Sequence, residues 1–180
     1  MQTGANNAAS VVQNSAGSSN RSELKQQGQD NDISIYQEGI SVDNDATIAQ
    51  YGQGNIASIT QSGEAGANAA SILQQGTSNS AVIRQNYVAY SVTGRNVSSI
   101  SQDGAGNKAE IGQTGSGHDA DIVQEGSGNS GHIEQSDHDQ KAVLNQFGDN
   151  NSWVIDQSGA ASAIIVEQFG SGGGITITQF

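Results

Sequence analysis

The chain contains no cysteine and no proline, one methionine and one tryptophan, and aromatic residues fill only 4% of its 180 positions. Without cysteine there is no disulfide framework, no thiolate metal site and no covalent haem attachment. Without proline every residue keeps its backbone N–H, which suits strands that must pair on both edges. Hydrophobic residues reach 33% while glycine alone supplies 24 residues, less apolar bulk than a compact core of this length uses. What remains is disorder or a thin, repetitive core. Cations are scarce too: 6 Lys and Arg stand against 18 Asp and Glu, a net charge of −12. Six cations cannot line a phosphate-tracking groove, so nucleic acid and anionic membrane surfaces are not expected partners. No apolar run approaches the length of a membrane-spanning helix. Met1 leads at once into repeat sequence, so the chain reads as a mature form without a leader.

Low hydrophobicity and high charge would fit disorder, but not Ile and Val at fixed intervals. Gln stands at position 2 and recurs as Gln13, Gln26, Gln37, Gln50, Gln61, Gln74, Gln85, Gln102, Gln113, Gln124, Gln135, Gln146, Gln157, Gln168 and Gln179. The intervals are 11, 13, 11, 13, 11, 13, 11, 17 and then seven of 11. Each Gln from Gln13 onward closes a unit N-x-[A/S/I]-x-[I/V/L]-x-Q. Eleven units open on Asn, at Asn7, Asn20, Asn31, Asn44, Asn55, Asn68, Asn79, Asn96, Asn107, Asn129 and Asn151; the others open on His118, Gln140, Ser162 and Gly173. Two residues before each Gln stands an aliphatic residue: Val11, Leu24, Ile35, Ile48, Ile59, Ile72, Ile83, Ile100, Ile111, Ile122, Ile133, Leu144, Ile155, Val166 and Ile177.

Spacing by two is the period of a β-strand, so Asn, the small residue, Ile and Gln share one face. Charge tests the assignment. None of the 24 Asp, Glu, Lys and Arg occupies any of the sixty shared-face positions, whereas Glu23, Lys25, Arg84, Glu110, Asp121, Glu134, Asp156 and Glu167 all sit between them. The shared face is therefore the interior, with the aliphatic residues as its core. Between strands runs Q-x-G-x-x-N, as in Gln50, Gly52, Asn55, the chemistry of a tight turn. Two units make a strand–turn–strand coil. The expected fold is all-β: a β-solenoid of about 7.5 coils with two facing, parallel, in-register sheets, one repeat domain over 1–180 with a loop insertion near 86–94.

A single coil cannot bury its inner face, so coils must stack. In register, Ile lies over Ile, and the inward amides of Gln and Asn can each donate to the amide above and accept from the one below, as ladders that stabilise cross-β structure. The repeat begins at Gln2 and runs to Gln179 with no capping helix or charged segment at either end. Two open edges on a self-complementary repeat invite head-to-tail addition without closure, which gives a filament.

The unit Q-x-G-x-x-N-x-A-x-I-x-Q resembles the curlin repeat of the curli amyloid subunits that bacteria secrete to build biofilm matrix, and the resemblance covers essentially the whole chain. It implies an extracellular cell-surface fibre made of copies of the chain, cross-β structure, secretion across both membranes of a Gram-negative cell by curli-type secretion factors, and growth started by a nucleating subunit. The familiar major subunit carries Ser six residues before alternate Gln anchors. Here that place holds Asn20, Asn44, Asn68 and Asn96, with Ser only at Ser162. Major subunit and minor nucleating subunit both stay open.

Other features carry less. His118 takes an Asn position, His132 points outward and His138 falls in a turn; they share no spacing, so no metal site is expected. Asp30, Asp32, Asp43 and Asp45 lack the nonapeptide of a calcium-binding β-roll and read as solvated turn charges. Ser occurs in no Gly-x-Ser-x-Gly elbow, and the Gly170–Gly174 turn has no Lys partner for a phosphate. Neither catalysis nor a cofactor is expected. The 17-residue interval holds Tyr87, Val88, Tyr90 and Val92, a tolerated insertion or an exposed aromatic patch. Trp153 occupies a small-residue position, and two units earlier the same position is Gly131, so the two should be neighbours on successive coils, with Gly131 vacating volume for the ring. The alternatives to a fibre subunit are a soluble solenoid binding ice, glycan or ions, and a β-helix enzyme. The eight Thr form no flat array, and no convergent charged cluster marks an outer face.

Overall fold

A computed structural model describes residues 1–16, 19–40, 43–64, 66–88 and 94–180. Alternating small, branched and amide side chains give strands wherever the period of two persists. They are β1 (Gln2–Ala5), β2 (Ala8–Ala16), β3 (Arg21–Gln29), β4 (Asp32–Ile40), β5 (Asp45–Gln53), β6 (Ile56–Gly63), β7 (Asn68–Thr77), β8 (Ser80–Tyr87), β9 (Asn96–Ala105), β10 (Lys108–Ser116), β11 (Asp119–Ser127), β12 (Ser130–His138), β13 (Lys141–Phe147), β14 (Ser152–Gln157), β15 (Ala163–Phe169) and β16 (Gly174–Gln179). The odd strands form one eight-stranded sheet and the even strands another, each in chain order. Every pairing is parallel and keeps the repeat in register, so Ile48 lies beside Ile72 and Gln50 beside Gln74. The chain is an all-β solenoid.

The two edges of the solenoid differ. From an odd strand to the next even strand the Gln-to-Gln spacing is always 11 residues. Along that edge Gly28, Gly52, Gly76, Gly104, Gly126 and Gly148 stack with φ between +102° and +128°. A Cβ on any of them would collide with the carbonyl of the glycine on the next coil, so the turn needs glycine for its backbone angle and for its closeness to a neighbour. From an even strand back to an odd strand the spacing is 13, 13, 13, 17 and then 11 residues, and all the extra length sits there. The insertion falls between β8 and β9. Tyr90 and Val92 lie outside the described residues. Tyr87 does not belong to an exposed patch: it is 6% exposed, and its ring packs over Gly66, where a Cβ would strike it.

The core is a double column of aliphatic side chains. Ile35, Ile48, Ile59, Ile72, Ile83, Ile100, Ile111, Ile122, Ile133, Leu144 and Ile155 are all buried, and each such burial contributes about 1.5–3 kcal/mol. Val166 is also buried, while Leu24 and Ile177 are only partly so. Val11 departs from its expected place in the core and is 40% exposed. It lies on β2, the last strand of its sheet, so no neighbouring coil covers one side. Gly131 and Trp153 are paired neighbours. The volume argument needs amending, however: a Cβ at Gly131 would meet Leu144, Gln146 and Gln124 of the facing sheet. Those side chains occupy the space, and Trp153 packs half-buried against the core beside them.

Candidate assembly interface

The inward Gln side chains follow one pattern. Each Nε2 donates to Oε1 of the Gln one coil further along, as in Gln50 to Gln74 at 2.8 Å and Gln85 to Gln113 at 2.8 Å. The odd sheet carries this run from Gln2 through Gln26, Gln50, Gln74, Gln102 and Gln124 to Gln146. The even sheet carries it from Gln13 through Gln37, Gln61, Gln85, Gln113 and Gln135 to Gln157. All of these bonds point toward the C-terminus.

The second Nε2 proton crosses to the other sheet. Gln50 donates to the Asp32 carbonyl at 3.0 Å, Gln61 to Asp45 at 3.0 Å and Gln113 to Val97 at 2.9 Å. From Gln37 to Gln146 the acceptor is the residue that follows the opening position of the preceding unit, whereas Gln13 reaches the Asn20 carbonyl and Ser22 Oγ, and Gln26 the carbonyls of both Ala8 and Asn31. One amide therefore holds coil to coil and sheet to sheet, and in the interior a bond of this kind is stronger than in water. Toward the C-terminal end the pattern changes: Gln157 turns to Ser162 Oγ at 3.1 Å and Gln168 to the Phe169 carbonyl at 3.1 Å. Gln179 Oε1 is buried with no partner.

The Asn positions differ from the expected amide-on-amide stack. At the even strands Oδ1 accepts the backbone N–H of the next opening residue, as Asn55 Oδ1 does from Asn79 at 3.0 Å. Nδ2 donates instead to the glycine carbonyl of the constant turn, as Asn55 does to Gly76 at 3.1 Å, Asn107 to Gly126 at 2.9 Å and Asn151 to Gly170 at 2.9 Å. Asn7, Asn31, Asn79 and Asn129 make the same turn bond. The short Asn side chain reaches the turn and staples it, while the longer Gln reaches its own kind. Asn rungs of the expected type run along the odd sheet from Asn68 to Asn44 at 3.0 Å and from Asn96 to Asn68 at 3.2 Å, pointing toward the N-terminus, and there too Nδ2 reaches a carbonyl, Asn68 that of Ser62 and Asn96 that of Gly115; in the even sheet Asn31 Nδ2 also reaches Asn7 Oδ1 at 3.1 Å. Asn20 Oδ1 accepts the Asn44 N–H at 3.2 Å. The repeated Q-x-G-x-x-N, with Gly and Asn three apart, was the available signal for the staple.

The solenoid is open at both ends of the described coils. Strands β1 and β2 terminate the two sheets at one end, β15 and β16 at the other. Of the nine exposed large hydrophobic residues among the described residues, seven lie in the first or last coil, among them Val11, Ile175 at 54% and Phe169 at 69%. Phe169 stacks on Phe147 with centroids 5.2 Å apart and leaves its other face free. Exposed apolar surface is thus concentrated where a further coil would fit.

The outer faces carry the charge. Arg84 pairs with Glu110, Lys141 with Asp119, and Arg21 with Glu23 at 2.9 Å. Asp121 and Glu134 are held above the usual carboxylate range, chiefly by burial beneath neighbouring strands. His118 is buried at an Asn position, His132 lies 3.9 Å from Glu110, and His138 is the last residue of β12 rather than part of a turn. Asp30 sits in a turn at φ +56°, and Asp43 accepts the Ser19 N–H at 3.1 Å. Among the described residues no group of three or more His, Asp and Glu could hold a metal ion, and no helix is long and apolar enough to cross a membrane.

In comparison with known proteins, residues 28–63 and 95–126 match the curlin associated repeat. These spans cover parts of β3 to β6 and of β9 to β11. No curated protein and no solved structure matches the chain.

Proposed function

We propose that this chain, a curlin-repeat protein, is a structural subunit of an extracellular amyloid-type fibre that grows by head-to-tail stacking. The observation that carries the reading is the pair of parallel, in-register sheets whose end strands have no outer neighbour and whose exposed apolar residues gather there. An uncovered, flat, self-complementary edge is a template for another copy, and head-to-tail contacts along one axis do not close into a ring. On this reading the chain is not an enzyme. Its work is mechanical: matrix and adhesion at the surface of a Gram-negative cell. Its partners are further copies, a nucleating subunit and curli-type secretion factors, and the chain itself is either the major subunit or the nucleator. The whole of 1–180 acts as one repeat domain.

The test is electron microscopy with fibre diffraction on purified chain left in buffer. The expected result is fibres with a meridional reflection near 4.8 Å and a subunit rise of roughly 38 Å, the height at that spacing of the eight strands in each sheet. A persistent soluble monomer, or a map with strands running along the fibre axis, would overturn the reading.

A further inference from the structure

His118 breaks the pattern of its column in a way that makes the interior sensitive to protons. It stands on the odd sheet between Asn96 on one coil and Gln140 on the next, with 0% of its surface exposed. Its backbone N–H donates to Asn96 Oδ1 at 3.1 Å, so the chain is seated as at an Asn. Its Nε2 lies 3.2 Å from the Thr114 carbonyl. A carbonyl only accepts, so the ring proton belongs on Nε2 and Nδ1 is the bare nitrogen. That Nδ1 is buried and has no hydrogen-bond partner. At the same position on two other coils, Asn20 and Asn96 each present an oxygen that accepts the next coil's N–H.

We propose that His118 is a proton-operated switch: an imidazole that must stay neutral for its coil to close, so that mild acid holds back folding of the chain onto a growing end. A second proton could go only to Nδ1. It would place a donor and a full positive charge inside the solenoid, where no acceptor is bonded to it. The charged and titratable groups around it are Asp139, just beyond β12, and His138, while Asp137 faces the ring through its backbone carbonyl. The groups facing it from β9, β10 and β13, Asn96, Thr114 and Gln140, are neutral. Attraction to Asp139 favours the proton, but burial outweighs it and lowers the His118 pKa below the ordinary imidazole value. The unfolded chain therefore binds more protons than the folded one. Stability is full above the unfolded pKa of about 6.5 and is lost as pH falls from there toward the lower folded value.

The experiment compares the chain with His118→Asn, which restores the residue of the repeat, and with His132→Asn, which removes an outward imidazole. Elongation onto preformed seeds is measured at about pH 7.5 and about pH 5, on either side of the free imidazole value. Dividing each rate by that of His118→Asn cancels the effect of acid on the carboxylates. The ratio for the unaltered chain should drop at least about threefold at the lower pH, and His132→Asn should drop with it. An unchanged ratio would overturn the proposal. The nitrogen-15 spectrum of His118 in fibres gives an independent reading: the ring should remain neutral at about pH 6, below the free imidazole value, and a protonated His118 there sinks the idea. The inference uses the fibre reading only for its assay. If the chain stays soluble, the same comparison is made on urea midpoints, so the two readings fail separately.

Discussion

Ile111 has no contact with water and lies in register between Ile83 and Ile133. Ile111→Asp would set a carboxylate among aliphatic side chains with no cation in reach, and should destabilise the chain by more than about 4 kcal/mol. Thr60, two strands away on the outer face, should accept Asp at less than about 0.5 kcal/mol. Urea midpoints or seeded growth rates measure the difference, and equal effects would invert the assignment of inside and outside. Glycine is tested in the same way. Gly76 has φ +102° and lies against the Gly104 carbonyl, so Gly76→Ala should cost about 1–3 kcal/mol. Gly131→Leu should overpack against Leu144 by about 1–3 kcal/mol. Asp121 runs the other way. Burial raises its pKa, so the folded state holds the proton more tightly and stability falls as pH rises past the usual carboxylate range. Asp121→Asn should therefore raise the denaturation midpoint at neutral pH, with the gain shrinking as pH falls toward about 4.

At the scale of strand and turn, the two edges should tolerate change very differently. The edge from odd to even strands holds the glycine stack and the Asn staples, and each turn there touches both neighbours. One residue inserted between Gln74 and Gln85 would lift Gly76 out of the stack, whereas one inserted between Gln61 and Gln74 joins an edge that already varies from 11 to 17 residues. The first insertion should lower the urea midpoint markedly and the second barely at all. This is also where sequence legibility ends. Strand face and register were readable because a period of two leaves charge no inward position, and Gln50 or Ile48 shows it directly. The paths of Asn55 and Asn107 were not, because Asn and Gln carry the same amide. Only the difference of one methylene, set against the distance to the turn, sends one to a glycine carbonyl and the other along the column. Val11 was misplaced for a reason at the next scale: a residue can occupy an inward position and still lack a coil to cover it.

For the whole molecule, stability is distributed along one dimension, each coil depending on its two neighbours. A change in the middle should cut the array in two, while the same change near an end should trim it. Gln85→Ala removes the donor to Gln113 and to the Ala69 carbonyl, and should cost about 1–3 kcal/mol with loss of exchange protection on both sides of β8. Gln168→Ala, at an end where the amide only reaches Phe169, should leave the central coils as protected as before. Hydrogen exchange followed residue by residue distinguishes the two patterns.

The Gln columns donate in one direction throughout, and that gives the molecule a front and a back. Sever it between any two of its central coils and one new surface offers amide protons while the other offers amide oxygens. The two surfaces match each other and neither matches itself. Shearing a stack therefore makes no blunt or neutral pieces. Every fragment inherits the same pair of unlike ends as its parent, and breakage multiplies the places where growth can resume.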